Sequence, residues 1–155
     1  MVHRLEREQL IDASSDEVFA FYSHARNLEA LTPPWLRFEV LTPEPIEMRP
    51  GTLIEYRLRL HGLRLRWVSR IEEWEPGRRF VDRQLRGPYR LWRHLHEFDA
   101  RPEGTLVRDT VDYALALGPF GDLADAAFVR RDLDRIFDFR RDQIARLRGA
   151  GAFAA

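Results

Sequence analysis

Two histidines one residue apart, His94-Leu95-His96, and two aspartates in neighbouring stretches, Asp82 and Asp109, are the side chains of this chain best suited to chemistry. Alternate residues of a β-strand point to one face, so both imidazoles aim the same way if residues 90–99 are extended. An imidazole beside a carboxylate can serve as a general acid or base, because its charge changes near neutrality. His-X-His with Asp82 or Asp109 also offers a metal-ligand set. The third reading is structural: His–Asp pairs that satisfy one another at the damp end of a core. Other chemistries are excluded or unsupported. The chain has no Cys, which removes thiolate catalysis and disulfides, and no Lys, which removes Schiff-base chemistry. Ser69 points inward but has no His close to it in sequence.

What these residues can reach depends on strand register, and tight turns fix register. A turn at Gly87-Pro88 that sets Arg86 against Arg90 places Gln84 opposite Trp92, Asp82 opposite His94 and Phe80 opposite His96. A turn at 101–104 that sets Ala100 against Thr105 places His96 opposite Asp109, His94 opposite Val111 and Trp92 opposite Tyr113. One sheet face then collects Asp82, Gln84, Trp92, His94, His96, Asp109 and Tyr113. The other face carries Arg83, Arg93, Glu97 and Arg108 and suits solvent. The mixed aromatic and polar face is therefore the inner one, with Asp82 pairing His94 and Asp109 pairing His96. A nearby carboxylate raises a histidine pKa and burial lowers it. With the carboxylates prevailing, the imidazoles are charged and the expected site holds no metal and no cofactor.

The elements that position these residues are legible in outline. Residues 3–11 read as a first strand. Ser14 and Glu17 form a capping-box pattern before the apolar Val18-Phe19 and Phe21-Tyr22, and residues 27–31 suit a second short helix. Pro33-Pro34 stops it, a short strand follows at 36–41, and Trp35 is expected in the core, like Trp67 and Phe120. From Gly51 to Leu115 five strands alternate in period two, separated by His61-Gly62, Glu75-Pro76-Gly77, Gly87-Pro88 and 101–104. A helix over 121–148 carries the stripe Ala126, Val129, Leu133, Ile136, Arg140, Ile144 and Leu147, widened by Phe137. Arg140 on that stripe could cap an acidic ligand or pair with an acidic side chain at the rim, and the rim is expected because Arg snorkels. The tail 149–155 is expected to fray. Shared parity predicts that Tyr56, Leu58, Trp67, Trp92, His94, Tyr113, Leu133 and Phe137 line one interior space. The breaks at Pro33-Pro34-Trp35 and 117–121 are expected to flank its entrance.

At 155 residues the chain is expected to be one domain, spanning 1–155, that folds without a metal or disulfide. Its 25 basic and 25 acidic residues cancel, which argues against a nucleic-acid partner. No stretch has the length and apolarity of a membrane span, so a cytoplasmic protein with no stable membrane insertion is expected.

The order of strand, two short helices, a run of strands and a long terminal helix resembles the START-like, or polyketide cyclase/dehydrase-like (SRPBCC), superfamily. The segments Ala13-Ser14-Ser15-Asp16-Glu17-Val18-Phe19 and Trp74-Glu75-Pro76-Gly77-Arg78-Arg79-Phe80 carry that resemblance together with the terminal helix. It implies an α+β helix-grip fold: a curved antiparallel sheet of about six or seven strands wrapped around the C-terminal helix. It further implies a small hydrophobic or amphipathic molecule bound between sheet and helix. The expected function is a binding or carrier module. The alternative is a cyclase- or dehydratase-like enzyme using a His–carboxylate pair, and the third possibility is a structural or interaction domain with a filled core. On this reading Tyr56, Leu58, Trp67, Asp82, Gln84, Trp92, His94, His96, Asp109, Tyr113, Leu133 and Phe137 are the ligand-contacting residues.

Overall fold

The structure, a computed structural model, describes residues 1–116 and 119–153. β1 (His3–Ile11) turns Leu5 and Ile11 inward and hands over to α1 (Ser15–Tyr22) through a complete capping box. The Ser14 hydroxyl accepts from the Glu17 N–H at 3.3 Å, and the Glu17 carboxylate accepts from the Ser14 N–H at 2.8 Å. Two of the orphan donors of the helix start are thereby satisfied. α1 buries Val18 and Phe19. α2 (Asn27–Ala30) is a single turn. Beyond it the expected strand at 36–41 is largely replaced by a 3-10 turn (Pro34–Leu36) and a two-residue β2 (Glu39–Val40). Pro34 sits at the start of that turn, and Arg37, in the left-handed region at φ 44°, ends it, so little length remains for a strand.

The five alternating stretches form β3 (Leu53–Leu60), β4 (Leu63–Glu75), β5 (Arg79–Arg86), β6 (Leu91–Arg101) and β7 (Gly104–Ala114). Together with β1 and β2 they make one antiparallel sheet in the order β1-β7-β6-β5-β4-β3-β2. The register across β5, β6 and β7 is the expected one: Asp82 pairs with His94, Phe80 with His96, His96 with Asp109, His94 with Val111 and Trp92 with Tyr113. Trp92, His94, His96 and Phe98 alternate inward on β6. On the outer face Arg93 meets Glu73 at 3.2 Å and Arg108 meets Glu8 at 2.7 Å.

The terminal helix begins earlier than expected and is not uniform. α3 (Pro119–Ala124) leads through a π-helical segment (Asp125–Val129) into α4 (Arg130–Gly149). α4 turns Leu133, Phe137 and Ile144 onto the sheet. Leu133 and Phe137 pack with Leu5, Trp92, Val111 and Tyr113. Ile144 packs with Phe19, Phe80, Phe98 and Val107. Over residues 149–153, the described part of the tail expected to fray, the chain instead folds back on the core. Gly151, at φ 79°, turns the chain so that Phe153 is 3 % exposed, its ring centroid 4.4 Å from that of Phe21. Among the described residues, no helix is long and apolar enough to cross a membrane.

Candidate functional site

The cores under the two ends of α4, and a third around Ile54, Tyr56, Ile71 and Val40, leave a cavity between helix and sheet. About 180 Å³ of it is open to the centres of water molecules. That is below the roughly 300–1,000 Å³ of drug-sized ligand sites, so the space suits a small ligand. The wall is mostly apolar. β3 contributes Ile54, Tyr56 and Leu58, β4 contributes Trp67, Ser69 and Ile71, and β6 contributes Trp92. Leu133, Ile136 and Phe137 of α4 form the opposite side. The polar patch consists of Asp82, His94 and His96, with Ser69 accepting from the Trp67 indole N–H at 3.0 Å.

Of the expected ligand-contacting residues, Tyr56, Leu58, Trp67, Asp82, Trp92, His94, His96, Leu133 and Phe137 line this cavity. Three do not. Gln84 folds back on the 87–88 turn, its amide donating to the Tyr89 carbonyl at 2.6 Å. The β5–β6 ladder ends at Arg83–Arg93, so Gln84 lies past the paired region and serves the loop. Tyr113 is 2 % exposed and packed under Trp92, with its ring stacked 5.4 Å from His3. Asp109 is buried behind the histidines. The residues not foreseen come from α1, α2 and the chain after them: Tyr22, Leu28, Leu36 and Phe38 all face the cavity. Trp35 and Phe120, expected in the core, are 51 % and 79 % exposed. Trp35 instead covers Phe139 and takes the Arg135 guanidinium 5.3 Å from its ring centroid. None of Pro33, Pro34 and Trp35, the first expected entrance segment, lines the cavity, although their neighbours Thr32 and Leu36 do; Leu117 and Gly118 of the second lie outside the described residues.

The His–Asp contacts run diagonally rather than straight across. His94 Nε2 lies 2.8 Å from Asp109, and His96 Nε2 lies 3.1 Å from Asp82. The cross-strand neighbour of His94, Asp82, is 3.9 Å from its Nδ1. Diagonal neighbours on antiparallel strands are within reach of long side chains, and the two rings stack with centroids 3.7 Å apart. His96 Nδ1 is also 2.9 Å from Asp109 Oδ1, close but not in line for a hydrogen bond. A bare nitrogen lone pair at that distance from a carboxylate oxygen is repulsive, so both nitrogens of His96 call for a proton. His94, with one close carboxylate, is satisfied as the neutral Nε2–H tautomer. These assignments follow from the network. The titration directions agree. Burial pulls His96 down, but Asp109 and Asp82 outweigh it and hold its pKa above the ordinary value. Burial and the neighbouring His96 hold His94 below it, against Asp109. Burial pushes Asp109 up, yet the hydrogen bond from His94 and the close His96 keep it well below the carboxylate range. Asp82 is likewise held low against burial, by His96, His94 and Arg140.

Asp82, His94 and His96 can each bring one ligand atom within 4.8 Å of the others. In the arrangement described, those atoms are spent on one another and on Asp109, and a charged His96 does not ligate. Arg140 departs from expectation. Its guanidinium lies over the Phe137 ring at 4.9 Å, its Nε is buried without a hydrogen-bond partner, and it makes no ion pair among the described residues. It lines the cavity rather than pairing at a rim.

A seven-stranded antiparallel sheet closed over by a long C-terminal helix, with a cavity between them, defines a helix-grip ligand-binding fold. The model of the family described as polyketide cyclase / dehydrase and lipid transport matches residues 2–148, and the chain belongs to that family. The structure is similar to the Zhui aromatase/cyclase from Streptomyces sp. R1128, at 17% identity and TM-score 0.75, covering 99% of this chain and 98% of that one. It is similar to TTHA0849 from Thermus thermophilus, at 21% identity and TM-score 0.64, covering 92% and 97%. It is also similar to Ara h 8.0201, at 14% identity and TM-score 0.65, covering 94% and 99%. Identities this low speak to fold alone. No curated protein matches the chain.

Proposed function

We propose that the protein is a binding or carrier module for a small, largely hydrophobic ligand held between the sheet and α4. The observation that carries this reading is the cavity itself, a mostly apolar wall of aromatic and aliphatic side chains interrupted by a few polar groups, Asp82, His94, His96 and Arg140 among them. Sites with that composition take apolar molecules and orient them through a few polar contacts. The same cavity speaks against a filled structural core. A second reading, a cyclase- or dehydratase-like enzyme, is favoured by one observation: His94 faces the cavity and hydrogen-bonds Asp109 behind it. That is the arrangement of a carboxylate-oriented acid–base residue.

Native mass spectrometry of gently purified protein tests the first reading. The expected species is the 18.3 kDa chain plus one small apolar molecule that is released on denaturation. A bare chain that also fails to take up added hydrophobic probes would contradict it. Conversion of the released molecule on incubation with fresh protein would favour the enzyme.

A further inference from the structure

The charged capacity this cavity leaves unspent is positive. Asp82 and Asp109 are occupied by the two histidines. Arg140 has no acceptor: its guanidinium lies over the Phe137 ring, its Nε is buried without a hydrogen-bond partner, and no carboxylate among the described residues pairs with it. Asp82 is near enough for the charge of Arg140 to help hold its carboxyl low. Two further donors share its surroundings. Tyr22 and Tyr56 line the cavity, and neither hydroxyl hydrogen-bonds a described residue. Burial holds both phenols neutral, well above their ordinary pKa, while the charge of Arg140 acts on each in the opposite direction. Phenols kept protonated are donors. A guanidinium and two phenol hydroxyls facing one apolar space, with no acceptor of their own, are what a buried oxyanion needs.

We infer that the ligand is an amphipathic organic acid, whose carboxylate is taken by Arg140 with Tyr22 and Tyr56 while its apolar body lies against Trp67, Trp92 and Phe137. This rests on the reading of the cavity as a ligand site. With His96 charged, the two aspartates leave one net negative charge that Arg140 balances only at a distance, so the empty cavity is neutral but internally separated. A carboxylate replaces that distant balance with direct bidentate hydrogen bonds, which a guanidinium makes better than any other side chain.

Calorimetric titration at about pH 7.5, where carboxylates are ionised, with 2-naphthoate and with methyl 2-naphthoate separates the two claims. The ester keeps the apolar body and a carbonyl acceptor but loses the charge. In the wild type the acid is expected to bind at least about tenfold more tightly than the ester. Arg140→Met should reduce that preference to less than about twofold, through a loss of acid affinity much larger than any loss for the ester. Arg140→Lys, which keeps the charge, should retain part of it. Equal binding of acid and ester by the wild type overturns the inference and leaves the ligand-site reading standing. So does a preference that survives Arg140→Met. The wild-type comparison needs no variant and decides the matter even if Arg140→Met fails to fold. Binding of neither probe overturns both claims.

Discussion

His96 faces Asp82 on β5 and Asp109 on β7 at 3.1 and 2.9 Å, with Tyr22 of α1 and the Phe80 ring packed beside it at centroid distances of 6.2 and 4.2 Å. Its carboxylate partners exist only in the folded chain, so its folded pKa lies above the unfolded 6.5. That stabilisation is fully present below about pH 6.5 and is lost as pH rises through the raised folded value. The acid side is set by the other members. His94, depressed by burial, must take up a proton on unfolding below 6.5, and Asp82 and Asp109 lose their contribution as pH falls below the unfolded 3.8. Stability is therefore expected to peak near pH 6–7. A tenfold change in proton affinity between the folded and unfolded chain corresponds to about 1.4 kcal/mol. In chemical denaturation from pH 6.5 to 9, the wild type should lose stability and His96→Gln should lose clearly less. Equal slopes in the two proteins would mean that His96 is neutral. The members of this cluster were legible from parity and turn spacing. The proximity of Asp109 to His96 was legible too; the diagonal hydrogen bonds, His94 to Asp109 and His96 to Asp82, were not, because register sets which Cα atoms are opposed, whereas side-chain rotamers decide which ring nitrogen reaches which oxygen. Arg140 shows the same limit: its place on the stripe was readable, the lack of an ion-pair partner among the described residues was not.

At the scale of elements, structure was legible where local chemistry is strong. The Ser14–Glu17 box, the turns at 61–62, 76–77 and 87–88, and the alternation of β3 to β7 each specify one conformation. It was not legible at 36–41, where a left-handed Arg37 interrupts an apolar run, or at the tail, where a single Phe153 docks after a glycine turn. Neither has a periodic signal. Gly104 shows how tightly the elements meet. It closes the β6–β7 turn at φ 139°, and a Cβ there would come 2.2 Å from the Ile11 carbonyl and 3.0 Å from the Asp12 Cα. Those atoms are backbone and cannot swing aside. Gly104→Ala is expected to destabilise the protein by about 2 kcal/mol or more, lowering the melting temperature by about 4 °C or more. A melting temperature within about 1 °C of wild type would show that the end of β1 is free to move away from the turn.

For the whole molecule, the question is whether the space between sheet and helix is filled. Inward parity identified most of its walls, including Tyr56, Trp67, Trp92, Leu133 and Phe137, but alternation says only which face is inner. Whether that face closes on itself depends on α1, α2 and the segment after them, which bring Tyr22, Leu28, Leu36 and Phe38 to the cavity wall. Those segments are short and their positions are set by tertiary contacts rather than by local pattern. The central claim is that this space takes up a hydrophobic molecule. Titration with the neutral fluorophore 1-aminoanthracene, followed by energy transfer from Trp67 and Trp92, tests it most directly. The comparison is with Ala25→Phe, which adds a ring at a buried position on the cavity wall. Saturable one-to-one binding by the wild type is expected, with at least about tenfold weaker binding by the filled variant and unchanged circular dichroism. No saturable binding by the wild type, or equal binding by both proteins, would contradict it.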